Sequence, residues 1–150
     1  MTIKVGVLGC TGRMGENLVM TIFSDHDLKL TSAVSSSINL QIGKNLSSIF
    51  DVETDVVLSC EIEDLFLNSD VIIDFSVPGA TMCCLELGKV YKKPVVTGTT
   101  GLNLDMVESY GSYFPVLWSA NMSIGINLVM KLVEAAAIQL GCDYDAEIWE

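Results

Sequence analysis

The chain has 150 residues, half of them apolar, and a formal net charge of −11. That length suits one domain with its own core, and the composition argues against disorder. The acidity argues against a partner built on phosphate backbone, whether nucleic acid or an anionic membrane surface, and points to solubility.

In chain order, Ile3 to Leu8 is a β-branched run that predicts a strand, and it ends in Gly9. Gly9-Cys10-Thr11-Gly12-Arg13-Met14-Gly15 follows directly. Glycines at such a turn serve three needs: a tight bend, close approach of backbone to a pyrophosphate, and packing of helix on strand. The helix that follows offers free N–H groups and a partial positive charge to phosphates. The spacing is G-x-x-G-x-x-G, one residue longer at its start than the usual dinucleotide fingerprint. Arg13 to Phe23 has helical periodicity, with Met14, Leu18 and Ile22 on one face.

Leu28 to Val34 predicts a second strand, and Ser35 through Asn45 reads as a polar loop. The acidic residue that bonds the adenosine ribose is expected about 20 positions past the glycines. Counting from Gly15 reaches Ser35, with no Asp or Glu at that strand end. Two readings follow. Ser35, Ser36 and Ser37 donate to a 2′-phosphate, with Arg13 or Lys44 supplying charge, so that NADPH is used at least as well as NADH; or the serines form a flexible loop.

Val56 to Leu58 predicts a short strand and Glu61 to Leu67 a small acidic helix. Asp70 to Phe75 has the continuous apolar centre of a buried parallel strand. Ser76-Val77-Pro78-Gly79 reads as a breaker and Ala80 to Tyr91 as a helix. Phe75 and Ser76, at a strand's carboxyl end, are placed to line a ligand, while Asp74 reads as a brace or cap in preference to an acid or base. Pro94 to Thr97 predicts a strand that runs into Gly98-Thr99-Thr100-Gly101. Small residues there let backbone approach a carboxamide, or simply make a capped turn. Leu104 to Tyr110 predicts a helix started by Asn103 or Asp105, and Pro115 to Trp118 a strand. In Ser119-Ala120-Asn121-Met122-Ser123 the backbone faces a nicotinamide ring, or Asn121 and Ser123 merely cap the long helix that ends at Gly141. Tyr144 to Trp149 predicts one more strand.

Alternating strands and helices predict an α/β, Rossmann-type, doubly wound and mostly parallel sheet. The helix from Ile124 to Leu140 is interrupted by Asn127, Lys131, Glu134 and Gln139, which predicts a buried or interface helix and no membrane span. The five cysteines, without Cys-x-x-Cys, read as reduced thiols of a cytoplasmic protein, and the single histidine, His26, sits in a turn. No metal site is expected.

G-R-M-G, D-F-S-x-P, G-T-T-G and A-N-x-S-x-G-x-N, in this order and spacing, resemble the dihydrodipicolinate reductases. That family uses NADH or NADPH to reduce 4-hydroxy-tetrahydrodipicolinate in lysine and diaminopimelate biosynthesis. The resemblance implies that Gly9, Thr11, Gly12, Arg13, Met14 and Gly15 hold the pyrophosphate side. It implies that Phe75, Gly98, Thr100, Ala120, Asn121 and Met122 hold the nicotinamide side. Family members often carry an aromatic residue where Met122 stands and an acidic one where Ser35 stands. The family continues past the segment matching 145–150 into a histidine-rich motif with a lysine and D-A-P-S-G-T, which supply the general acid and the groups that grip a dicarboxylate substrate. On this reading residues 1–125 are the dinucleotide-binding domain and 126–150 lead into a substrate domain absent from the chain. No catalytic residue is expected in these 150, so the chain should bind cofactor without turnover and expose part of its apolar helix. The family is homotetrameric. The alternatives are a standalone NAD(P)-binding or sensing module, and another Rossmann dehydrogenase of amino-acid metabolism, against which G-T-T-G and A-N-x-S-x-G-x-N weigh.

Overall fold

The structure, a computed structural model, describes residues 2–147 and 149. By contacts the chain divides into two units, Met1–Ser119 and Ala120–Glu150.

The first unit holds six strands: β1 (Ile3–Leu8), β2 (Leu28–Val34), β3 (Leu58–Ser59), β4 (Val71–Asp74), β5 (Val95–Thr97) and β6 (Val116–Trp118). Between them lie α1 (Arg13–Ser24), α2 (Glu63–Asn68), α3 (Pro78–Tyr91) and α4 (Leu104–Tyr110). The strands form one sheet in the order β3-β2-β1-β4-β5-β6, every pairing parallel. The order runs outward from β1 in one direction and from β4 in the other, so the switch point lies between these two strands.

A parallel sheet is covered on both faces, and its strands read as apolar runs for that reason. Val5, Val7, Leu30 and Ala33 pack with Val19 and Ile22 of α1 and with Leu46 and Leu58. Leu8, Val34 and Ile72 join Leu65 and Phe66 of α2, Leu85 of α3, and Val107 and Tyr110 of α4 in a second cluster. Each such fully buried aliphatic or aromatic side chain contributes roughly 1.5–3 kcal/mol. β1 and β2 shift register between Val5 and Gly6. Ser69 fills the space beside Gly6, where a Cβ would stand 2.7 Å from its Oγ.

Two local expectations are corrected. Pro78 does not break the chain but opens α3, two residues before Ala80. Proline suits the first helical position because its missing N–H would have no partner there. The strand expected from Tyr144 to Trp149 is not formed at 144–147 or at 149, and Ile148 and Glu150 lie outside the described residues. A strand is held by its ladder, and the described residues of the second unit include no strand to pair with. Beyond a 3₁₀ turn at Leu46–Ser48 that was not read from the sequence, the differences in the first unit are shifts of one or two residues at element ends, such as β3 starting at Leu58 where Val56 was expected.

The second unit contains α5 (Ile124–Leu140) and a 3₁₀ turn, Gly141–Asp143. Ser123 caps α5, its side chain accepting from the Ile126 N–H. Asn127, Lys131 and Glu134 stand at i, i+4 and i+7, so they share one polar stripe. Apart from Gln139 the rest of the helix is apolar, and no side chain of α5 is buried. By length and composition Ile124–Asp143 is long and apolar enough to cross a membrane.

Gly88 of α3 packs directly under Phe114, where a Cβ would lie 2.3 Å from the ring. Phe114 is itself buried, so it has little room to retreat. Gly88→Ala should therefore cost about 1–3 kcal/mol, seen as a lower denaturation midpoint. An unchanged midpoint would mean that the ring moves freely.

Candidate functional site

In open α/β sheets ligands bind beyond the carboxyl ends of the strands, at the switch point. Here the ends of β1, β2, β4 and β5 gather three sets of residues: the 9–15 loop, the start of the loop after β2, and the loops after β4 and β5.

The 9–15 loop is held by its own backbone. Gly9 and Cys10 both donate to the Val34 carbonyl, at 2.8 and 3.2 Å, and Gly12 donates back to the Gly9 carbonyl at 3.0 Å. Gly9 has φ +81, and a Cβ on it would stand 2.6 Å from the Phe75 carbonyl oxygen. A Cβ on Gly15 would stand 2.1 Å from the Gly9 carbonyl oxygen. Both obstacles are backbone, which cannot step aside as a flexible side chain can. Gly12 is the N-cap of α1 and contributes no side-chain cap bond. The first-turn amides of a helix have no intrahelical acceptor. With no capping side chain in the way, they are available to an anion, and the helix dipole favours negative charge there. A pyrophosphate fits that donor set. Arg13 and Met14 are exposed on the same turn, and the single ion pair among the described residues, Lys89–Glu86, lies elsewhere.

Beside this loop, Thr11 and Ser35 share a hydrogen bond of 2.6 Å between their hydroxyls. The Asn39 amide donates to Thr11 Oγ1 at 3.0 Å and to Ser35 Oγ at 3.2 Å. Its own oxygen accepts the Gln41 N–H at 2.9 Å. Ser35 thus belongs to a hydrogen-bonded network, while Ser36 and Ser37 are exposed. No carboxylate takes part. Asn39 was not singled out from the sequence. Its only local signal is an Asx-type bond to the residue two positions on, and its partners Thr11 and Ser35 become neighbours only when β1 pairs with β2.

Past β4 and β5, Asp74 is fully buried. Its carboxylate accepts from the Ser76 N–H at 3.0 Å, the Ser76 hydroxyl at 2.5 Å, and the hydroxyls of Thr81 and Thr97 at 2.5 and 2.9 Å. Asp74 is therefore a brace, as its place in the motif suggested, with its acceptor sites taken by protein donors. The Phe75 ring lies against Gly98, where a Cβ would come within 2.2 Å of it. Thr99 is buried and Thr100 exposed. Gly101 turns the chain with φ +77.

Ala120, Asn121 and Met122 belong to the second unit. Asn121 Oδ1 accepts the Ser123 N–H at 2.8 Å, and its carbonyl accepts the Asn127 side-chain amide at 2.8 Å. Both bonds steady the entry into α5.

The site carries no activated thiol. Burial pushes Cys10 up to about 12, and burial followed by the charge of Asp74 pushes Cys84 up as well. A groove of about 910 Å³ lies along the outer side of β2, lined by residues that include Lys29, Thr31, Glu53, Asp55 and Asp64. None of the candidate residues lines it. It exists because β3 is two residues long and leaves most of β2 without a strand neighbour on that side. The strand ends, and not this groove, hold the convergent donors.

Residues 3–122 match the family described as dihydrodipicolinate reductase, N-terminus. The chain is 38% identical over 152 residues to the 4-hydroxy-tetrahydrodipicolinate reductase of Wolbachia sp. subsp. Brugia malayi (strain TRS), covering 100% of this chain and 58% of that protein. It is 38% identical over 149 residues to the enzyme of that name from Ehrlichia ruminantium (strain Gardel), covering 99% of this chain and 56% of that protein. Among solved structures it resembles a dipicolinate-bound dihydrodipicolinate reductase from Paenisporosarcina sp. TG-14, with a TM-score of 0.71, 25% identity, and coverage of 91% of this chain and 54% of that one. An NADP-bound aspartate semialdehyde dehydrogenase from Candida albicans, at 16% identity and a TM-score of 0.58, shares the fold; that likeness covers 79% of this chain and 42% of that one. The chain thus spans little more than half the length of the curated relatives it matches.

Gly15→Ala forces a methyl into backbone, and it should lower stability by about 3 kcal/mol in chemical denaturation; a loss below about 0.5 kcal/mol would mean that the loop relaxes without strain. The thiols should report on pH. An unfolded thiol ionises near about 8.5, while Cys10 holds its proton to about 12. The folded chain then carries more protons in that window, so stability falls as pH rises from about 8.5. A Cys10→Ala variant should show a shallower decline between pH 8 and 10 in thermal melts, and an identical slope would count against the burial argument.

Proposed function

Because the chain belongs to the dihydrodipicolinate reductase family, we propose that it forms the cofactor-binding part of an enzyme that reduces 4-hydroxy-tetrahydrodipicolinate with NADPH or NADH. The observation that carries this reading is the 9–15 loop. Gly9 and Gly15 are obligatory by backbone contact, and the helix it opens has no side-chain cap.

In this proposal Gly9, Thr11, Gly12, Arg13, Met14 and Gly15 hold the pyrophosphate. Ser35 and Ser36, joined by Asn39, hold the adenosine ribose. Phe75, Gly98 and Thr100, with Ala120, Asn121 and Met122, hold the nicotinamide, which supplies a hydride when bound. The protein's own work is to bind, orient and shield. Amides and Arg13 offset phosphate charge, and Phe75 presents an apolar surface that keeps water from a ring. The absence of a carboxylate beside Ser35 removes the repulsion that would reject a 2′-phosphate, so NADPH binds at least as well as NADH.

The substrate of the whole protein is a small dicarboxylate, which needs cationic groups for recognition. This chain has eight Lys and Arg residues in all and one histidine. We assign substrate binding and proton donation to the part of the relatives' length that these residues do not span, and the 126–150 segment to the passage toward it. These 150 residues alone should bind cofactor without turnover. A cytoplasmic location and the tetramer of the family belong to the same proposal and rest on the resemblance.

Calorimetric titration of the chain with NADPH and NADH is the direct test, and absence of binding by both at millimolar concentration would overturn the proposal. Ser35→Asp should weaken NADPH by about tenfold or more through like-charge repulsion, with NADH changed by less than about threefold. Equal effects on both cofactors would remove Ser35 from the 2′-phosphate site.

A further inference from the structure

We infer that Asp74 is a positioning residue, which fixes the two loops that flank the nicotinamide without touching the cofactor; the inference rests on the cofactor site proposed above. Asp74 is 0% exposed, and none of its hydrogen-bond donors is a cation. A buried carboxyl group persists only where hydrogen-bond partners satisfy it. Here the donors come from α3, the end of β5 and the loops after β4 and β5. Ser76 donates through both N–H and hydroxyl from the loop after β4. Thr81 donates at 2.5 Å from the first turns of α3, whose N-terminal dipole favours the carboxylate. Thr97 donates at 2.9 Å from the end of β5, and Thr99 at 3.3 Å from the loop beyond it.

Thr99 extends the network. Its hydroxyl accepts the Ser76 N–H at 3.1 Å, its own N–H donates to the Thr97 hydroxyl at 3.2 Å, and its carbonyl accepts the Trp118 indole N–H at 2.9 Å. The loops that follow β4 and β5 are therefore tied to each other through a single carboxylate, and the end of β6 joins them through the Thr99 carbonyl. Phe75 lies between Asp74 and Ser76 in sequence, and Gly98 lies between Thr97 and Thr99. Both neighbours of each are pinned, and this sets the ring of Phe75 on Gly98. An apolar residue of similar volume would fill the space equally well. Only a carboxylate accepts so many donors at once while donating none.

The test compares the 150-residue chain with D74N and with T97V, all carrying W149F so that Trp118 is the one tryptophan. The probes are NADPH and 2′,5′-ADP, which has the adenosine and phosphate parts without the nicotinamide. For D74N we expect NADPH affinity to fall at least about tenfold, 2′,5′-ADP affinity to stay within about twofold, and the Trp118 indole N–H resonance to shift. T97V, which keeps the packing and removes one donor, should move in the same direction by a smaller factor. Equal loss on both probes would make Asp74 a support of the whole domain, and unchanged NADPH affinity would remove the role; either overturns the inference. If D74N does not fold, the same split in T97V decides. If the wild-type chain binds neither probe, the cofactor site itself fails. The indole resonance then stands alone: one left in place by D74N overturns the positioning of the loop.

Discussion

The start of α1 and the end of β1 approach so closely that no side chain fits between them. A methyl on Gly15 would overlap the carbonyl of Gly9, and a methyl on Gly9 would overlap the carbonyl of Phe75. This one contact sets the angle at which the first helix leaves the sheet, and it brings the end of β4 against the end of β1. The first-turn amides of α1 then face the switch point. Had either position a Cβ, the helix would stand off the sheet, and the packing of Val19 and Ile22 on Val5 and Val7 would be lost with it.

Around that contact the site is built from neutral donors and hydroxyls more than from charge. Thr11, Ser35 and Asn39 close one end, and Asp74 with its serine and threonines closes the other. Such groups are strongly directional, and a network in which each member is satisfied holds one geometry. Among the described residues no buried side-chain nitrogen or oxygen lacks a partner. The chain's net charge of −11 makes this choice sensible. In the proposed site an anionic cofactor would approach an acidic protein, and the local amides and Arg13 would have to outweigh the distant carboxylates, which solvent and salt screen.

The second unit obeys a different constraint. α5 has one polar stripe, with Gln139 outside it, and an otherwise apolar surface, with none of its side chains buried. Helices with this pattern are normally covered on more than one side. Exposed Leu128, Val129, Leu132 and Val133 are consistent with the apolar exposure expected from the sequence.

Much of the first unit was legible in the chain itself. The apolar runs of β1, β2 and β4, the helical spacing of α1 and α4, and the glycines before α1 are local patterns, and local sterics and burial decide them. What the sequence left open was contact between distant segments. That Ser35 is hydrogen-bonded depends on Asn39 and Thr11 meeting it from the loops after two strands. That Asp74 braces both loops depends on β4 lying beside β5, with Thr97 and Thr99 23 and 25 residues away. The strand read from Tyr144 to Trp149 shows the same limit from the other side, since a β-pattern without a neighbour to bond is only a pattern. The sequence by itself determined which segments coil, extend and turn, because those choices are made within a few residues. Only the tertiary structure decided which polar groups meet, because hydrogen bonds between strand ends exist once the sheet order, with its reversal at β1 and β4, has been set.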